Sequence, residues 1–249
     1  MQKKVRINKF IAQSGIASRR GADELILAKK VKVNGKIITE PGILVDEKDE
    51  IIINGKKIEP QKYLYMVFYK PPGYITTKSD EKGRKTIYEF LPENLHHIKP
   101  AGRLDKDSSG LLFMTNDGDL IQQMTHPKIK VAKVYHVFVK GKIKISDIEK
   151  LSKGIEIEKG KTAYADVMVL DVTREKSELE VVLYQGYNRQ IRRMMEIIGH
   201  DVISLKRIQH ATLTIQGMGR GDYKFLKPKQ LQELRNHLKK CEKSGEKTL

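Results

Sequence analysis

AGRLDKDSSGLLFMTNDGDL, residues 101–120, places Asp105, Asp107, Asp117 and Asp119 in a chain whose formal net charge is +17. An apolar run, LLFMT, separates them into two polar loops bounded by glycines. Four readings are open for such a segment: a metal loop, a pair of catalytic acids, one special carboxylate, or two turns around a buried strand. The calcium reading starts well, because Asp105, Asp107, Ser109 and Gly110 take the first, third, fifth and sixth positions of an EF-hand loop. It fails at the twelfth position, where Asn116 stands instead of a bidentate glutamate, and at 111–114, where apolar residues replace ligands. A glycosidase pair needs two carboxylates in distinct environments, and sugar hydrolysis has little use for so positive a field. Asn-Asp-Gly-Asp is good turn chemistry and accounts for Asp117 and Asp119. Asp105 fits a turn less well. Arg103 precedes it by two residues and can share its direction on an extended segment, while Gly102 and Gly110 let the backbone approach a ligand closely.

The surrounding 249 residues, 39% hydrophobic, suffice for one large domain or two smaller ones. No run approaches the ~18 apolar residues of a membrane span, and the N-terminal MQKKVRINKF lacks the apolar centre of a signal peptide. The single Cys241 forms no internal disulfide, which together with these points predicts a cytoplasmic protein. None of the seven histidines lies in an HExxH or Cys-pair spacing, so no metal is expected, and no GxxxxGK[ST] loop supports nucleotide hydrolysis. Positive charge favours polyanions in general. Here the arginines are also grouped, Arg19 with Arg20 and Arg189 with Arg192 and Arg193, inside glycine-flanked, apolar-patterned segments, which points to nucleic acid. With no Trp and six Phe, Tyr is the main aromatic available for base stacking.

Along the chain, residues 1–60 read as a small α/β module. VRINKFIAQSG has Val5, Phe10 and Ile11 near helical spacing and stops at Gly15; ASRRGADELILAKK offers Ser18 as N-cap and Leu25, Ile26 and Ala28 as an apolar face. VKV-NG-KII and III-NG-KKI are then two hairpins, because Asn and Gly both tolerate positive φ. Arg19, Arg20, Lys29, Lys30 and Lys32 are available for one basic face. Residues 61–64 read as a linker. From 65 to 237 strand-like runs dominate (YMVFYK, VYHVFVK, YADVMVLDV, ELEVVLY, HATLTI), with helical patterns at GDLIQQMTH, SDIEKLSKG and NRQIRRMMEIIGH. The expectation is an α+β domain with a mostly antiparallel mixed sheet. The charged residues 238–249 read as an unstructured tail.

GRLDKDSSGLLFMTNDG resembles the GRLDxxTSGLLLLTNDG signature of the RsuA/RluB-type pseudouridine synthases that modify ribosomal RNA. Further segments resemble that family in the correct order: YKPPGYITT (69–77) its KPxG strand end, KVYHVFV (133–139) its KxYxVxV strand, and YNRQIRRMMEIIGHDV (187–202) its NRQIRRM helix. The N-terminal module resembles the S4-like RNA-binding domain these enzymes carry. Together the resemblance covers residues 5–235. Ser108 replaces the usual Thr and keeps a hydroxyl, Gln185 and Tyr187 stand where Glu and a basic residue are common, Ala211 replaces a frequent Gly, and Lys224 a usual Arg.

The resemblance implies isomerisation of a uridine in RNA: the base is detached from its anomeric carbon, rotated and reattached through carbon 5. Nothing is oxidised or hydrolysed, so no cofactor is expected. It implies Asp105 as nucleophile or base, by addition to the ribose, proton abstraction toward a glycal, or addition to the pyrimidine. Arg192 is implied as its ion-pair partner, which would hold it ionised, and Tyr135 as a stacking surface for the flipped base. Arg103, Arg19, Arg20, Lys29, Lys30, Lys32, Arg189 and Arg193 are the expected RNA contacts. Lys70, with Pro71 and Pro72, reads first as a rigid turn and second as a neighbour of the active site. The expected partner is ribosomal RNA, by preference the 23S molecule of the large subunit, with a monomer acting away from membranes. The rival expectations are the same reaction on 16S RNA and a non-catalytic, ribosome-associated RNA-binding protein.

Overall fold

The structure, a computed structural model, describes residues 4–46, 48–78 and 80–246. The chain divides into two units, Met1–Tyr63 and Leu64–Leu249. In the first, Val5 belongs not to the opening helix but to β1 (Val5–Arg6), and α1 (Ile7–Gln13) starts after it, burying Ile7, Phe10 and Ile11. Gly15, at φ +81°, follows the helix end in a conformation that other residues resist. The Ser18 hydroxyl accepts the Gly21 N–H at 3.0 Å and opens α2 (Arg19–Leu27), whose Ala22 and Ile26 are buried one turn apart. Ala28, expected on that apolar face, is the exposed C-cap residue.

Strands β2 (Val31–Val33) and β3 (Lys36–Ile37) pair antiparallel. β4 (Leu44–Val45) pairs with β1, and β5 (Ile51–Ile53) joins β2 and β6 (Lys56–Ile58) in the order β3-β2-β5-β6. Asn34-Gly35 and Asn54-Gly55 all have positive φ, between 49° and 79°, as two-residue hairpin turns demand.

In the second unit, β7 (Tyr65–Lys70), β8 (Lys99–Pro100) and β9 (Ser109–Thr115) precede α3 (Gly118–Thr125). β10 (Lys133–Lys140), α4 (Ile145–Lys153), β11 (Ile155–Glu158), β12 (Lys161–Ala163), β13 (Asp166–Val172) and β14 (Lys176–Leu183) follow. The chain then runs through α5 (Gln190–Ile197), β15 (Val202–His210), β16 (Leu213–Thr214), β17 (Tyr223–Phe225) and α6 (Pro228–Glu246). The main sheet has the order β13-β14-β10-β15-β9-β7-β17, and its pairings are antiparallel except β9 with β15. Strands β7 and β9 are buried on both faces and read as continuous apolar runs, whereas β10 and β14 alternate. One face packs Phe68, Leu112, Tyr135 and Val181 in a core with Ile191, Met194 and Met195 of α5. The other packs Val67, Leu111 and Phe113 in a core with Leu120 and Met124 of α3 and Leu234 and Leu238 of α6.

Residues 238–246, expected to be unstructured, are instead the second half of α6. Leu234 and Leu238, one turn apart and fully buried, anchor that helix, and its charged continuation carries on from an already formed turn. Residues 247–249 lie outside the described residues. The second polar loop of the opening segment is structural. Asn116 Oδ1 accepts the Leu64 N–H at 2.8 Å, and Asp117 caps α3 by accepting the Leu120 N–H at 3.2 Å. Asp117 also accepts from the Tyr65 hydroxyl at 3.0 Å and pairs with Arg235 of α6 at 3.5 Å. Among the described residues no helix is long and apolar enough to cross a membrane.

Candidate active site

Strand register lines up residues far apart in sequence. Lys70 of β7 is opposite Gly110 of β9, Gly110 opposite Arg207 of β15, Arg207 opposite Tyr135 of β10, and Tyr135 opposite Val181 of β14. This row crosses five strands, and Asp105 lies in the loop that feeds its second member. Gly110 has a packing reason: a Cβ there would sit 2.2 Å from the Arg207 carbonyl oxygen and 2.6 Å from its nitrogen. Its φ of +110° independently favours glycine. The parallel pairing of β9 with β15 therefore depends on a residue without a side chain. Arg207, 2% exposed, donates from Nε to the Leu111 carbonyl at 2.7 Å.

The backbone around Asp105 is tied down from several directions. Thr76 Oγ1 donates to the Leu104 carbonyl at 2.8 Å and accepts its N–H at 3.2 Å. The Gly73 N–H donates to the Lys106 carbonyl at 2.8 Å, and the Ser108 N–H to the Asp105 carbonyl at 3.1 Å. Lys70, with no exposed surface, donates from Nζ to the carbonyls of Pro71 (3.0 Å), Lys106 (3.1 Å) and Ser108 (2.7 Å). Burial lowers the Lys70 amine to about 8, and the nearby charges of Asp105 and Asp107 act in the opposite direction. Among the described residues the Asp105 carboxylate itself has no hydrogen-bond or ion-pair partner. A fixed backbone with a free, half-exposed carboxylate suits a group that must react.

The ion pair expected between Arg192 and Asp105 is not formed. Arg192 Nη2 donates to the Asp107 carbonyl at 3.4 Å and Nη1 to the Val202 carbonyl at 3.3 Å, so the guanidinium braces the loop and α5 against β15. Its Nε is buried without a partner. Burial, and then the Arg189 charge, hold Arg192 below the usual guanidinium value, while Asp107 and Asp105 work against both. Arg192 thus reaches Asp105 through the field and through the backbone of residue 107, not through contact. Tyr135 is 8% exposed and belongs to the same apolar core as Leu104, the residue before Asp105.

The expected RNA contacts fall into separate groups. Arg103 and Arg189 are exposed, Arg189 in the left-handed conformation (φ 50°) just ahead of α5. Arg193 is engaged with Glu158 at 3.2 Å. In the first unit Arg19, Arg20, Lys29, Lys30 and Lys32 are all exposed. Arg19 and Arg20 open α2 whereas Lys29 and Lys30 follow its end, about 14 Å away by helix rise. They do not form a single cluster on that helix. Lys70, Gly73 and Thr76 carry more of the site than their sequence showed. The signal for them is the KPPGYITT segment, whose turn reading hid how far its donors reach. Among the described residues no three His, Cys, Asp or Glu side chains are grouped to hold a metal ion.

Comparison with known proteins adds to this geometry. Residues 64–197 match the profile of the RNA pseudouridylate synthase family, and residues 5–51 that of the S4 domain. The chain is 44% identical over 232 residues to ribosomal large subunit pseudouridine synthase B of Bacillus subtilis (strain 168), covering 92% of this chain and 95% of that one. It is 34% identical over 232 residues to an uncharacterized RNA pseudouridine synthase of Aquifex aeolicus (strain VF5), covering 92% and 93%. A crystal structure of a pseudouridylate synthase superposes with a TM-score of 0.67 at 26% identity, covering 92% of this chain and 99% of the other.

Proposed function

Because the chain belongs to the RNA pseudouridylate synthase family, we propose that it converts a uridine of large-subunit ribosomal RNA to pseudouridine with Asp105 as the reacting group. The large-subunit target is supported by the Bacillus subtilis relative, whose likeness runs nearly the full length of both chains. The role of Asp105 is supported by one observation above all: the loop carrying it is clamped at residues 104, 106, 107 and 108, while its carboxylate is left free.

The reaction breaks the bond between N1 and the anomeric carbon and forms one from C5 to the same carbon. The proton on C5 is released and N1 takes one up, so no electrons are gained or lost. Asp105 acts in its ionised form, as nucleophile or base. Lys70 and Arg192 supply positive charge near it without quenching it by direct contact. The loop constraints hold the carboxylate to a narrow set of positions, which shortens the search for a productive geometry. Tyr135, on the row that ends the Asp105 loop and 8% exposed, is the stacking surface for the flipped base. The exposed basic residues of the S4 domain contact the RNA backbone and position it, while the second unit reads the uridine. The enzyme acts as a monomer on RNA or a pre-ribosomal particle.

The test is Asp105→Asn. Pseudouridine, read by chemical mapping of an in vitro transcript of large-subunit ribosomal RNA, is expected to disappear while RNA affinity stays within about threefold of wild type. Product formation by this variant would show that Asp105 is not the reagent. Free uracil in the reaction would show a glycosidase instead.

A further inference from the structure

In the second unit three tyrosines outside the row are exposed: Tyr164 (50%), Tyr184 (45%) and Tyr187 (38%). They occupy one neighbourhood. Asp166 pairs with Val182 and Val167 with Val181, so Tyr164 and Tyr184 both stand just beyond the same end of the β13–β14 ladder. Gln185 fastens the two segments, accepting the Tyr164 N–H at 3.0 Å and donating to the Thr162 carbonyl at 3.2 Å. Gln190 then ties the loop to α5, donating to Gln185 Oε1 at 3.2 Å and accepting the Tyr187 N–H at 3.1 Å. Tyr164 is seated against Gly154, where an added Cβ would stand 2.5 Å from the ring. The rings are therefore carried on a hydrogen-bonded frame that is in place before any ligand arrives.

The position and charge of this frame say what it meets. Val181 is the strand partner of Tyr135, Tyr184 lies three residues beyond it on the side of the row away from the Asp105 loop, and the chain turns back there into α5, which carries Arg192 and begins three residues after Tyr187. Arg189 is exposed in the same loop. The nearby Glu158 is already paired with Lys161 at 3.0 Å and Arg193 at 3.2 Å, which leaves Arg189 as the free charge of this loop. Rigid, half-exposed aromatics beside free positive charge are the composition of surfaces that stack unpaired bases and hold phosphate.

We propose that Tyr184 and Tyr187, backed by Tyr164 and Arg189, form a stacking platform for unpaired nucleotides next to the target uridine. The enzyme then selects single-stranded or bulged RNA at this flank. The proposal rests on the reading that RNA is the substrate, and its test is separable from that reading. The chain contains no tryptophan, so Tyr184→Trp and Tyr187→Trp each carry a single fluorescent reporter. The probes are a 12-nucleotide oligoadenylate and a transcript of large-subunit ribosomal RNA.

Quenching of the tryptophan emission on binding either probe is expected. The double variant Tyr184→Ala/Tyr187→Ala should lose roughly tenfold affinity per tyrosine, the scale of one base stack. Tyr→Phe variants should bind within about twofold of wild type, since the ring is kept. The slope of log affinity against log salt should be unchanged in the alanine variant, because no ion contact is removed. Unquenched emission, wild-type affinity of the alanine variant, or a flattened salt slope overturns the platform. A wild-type chain that forms no pseudouridine in the transcript overturns the activity reading and leaves the quenching result to stand by itself.

Discussion

Lys70→Met replaces the buried amine that holds the Asp105 loop with an apolar side chain of similar length. Three hydrogen bonds to carbonyls are lost. The Lys106 carbonyl still receives the Gly73 N–H, so the acceptors left bare are those of Pro71 and Ser108. Two unsatisfied buried carbonyls cost about 2–6 kcal/mol. Against this, the variant no longer buries an ammonium group. Lowering Lys70 from 10.5 to about 8 corresponds to about 3 kcal/mol of penalty on its charged form near neutral pH. The two effects largely cancel. The protein should fold, with stability reduced by no more than about 3 kcal/mol. Activity has no such compensation, because the loop loses its central tie. A displacement of the carboxylate by about 1 Å is enough for roughly a hundredfold loss in turnover. The assay is single-turnover pseudouridine formation beside urea denaturation and RNA affinity. The expected pattern is a large drop in kcat with affinity and cooperative unfolding preserved. Wild-type turnover, or a loss that merely follows weakened RNA binding, would refute the positioning role of Lys70.

Gly110→Ala drives a methyl group into the Arg207 backbone at 2.2 Å. Separating β9 from β15 should lower stability by about 4 kcal/mol, or the melting midpoint by roughly 10 °C, and abolish activity; a soluble, active variant with an unchanged melting midpoint would contradict the packing account. Asp117→Ala removes the α3 cap and the tie to Tyr65 and Arg235. A loss of about 2–3 kcal/mol is expected on denaturation, with turnover at 25 °C within threefold of wild type; a tenfold fall in turnover of the folded variant would assign Asp117 to the chemistry. Burial, and secondarily Arg207, lower Lys133 to about 8, so between pH 8 and 10 the unfolded chain binds more protons than the folded one at both Lys70 and Lys133. Stability should therefore rise with pH in that window, until Tyr88, pushed up to about 12 by burial, opposes it above pH 10. Lys133→Met should flatten the rise, and an unaltered slope by urea titration would count against it.

What the sequence determined by itself was set by contacts within a few residues. Asn-Gly at 34–35 and 54–55 turns the chain because both residues accept positive φ, and Ser18 caps α2 through an N–H three positions on. Asp117 closes a turn and starts a helix in the same local way. The order of segments was legible too, since GRLD, KVYHVFV and NRQIRRM are long enough to identify their family. Local patterning misplaced what depends on packing. Val5 has helical spacing but finds a strand partner in Val45, and the charged residues after Leu238 stay helical because buried leucines anchor the turns before them.

Only the tertiary structure decided how the site is assembled. Lys70, Gly110, Arg207 and Tyr135 share a row through strand register, which couples positions that no local period connects. That register turned Lys70 from a turn residue into the tie of the Asp105 loop. It also directed Arg192 to the Asp107 carbonyl and not to the Asp105 carboxylate. The reason is physical: a cation drawn out of water turns its donors to the acceptors within reach, and here those are backbone carbonyls whose positions exist only once the sheet has formed.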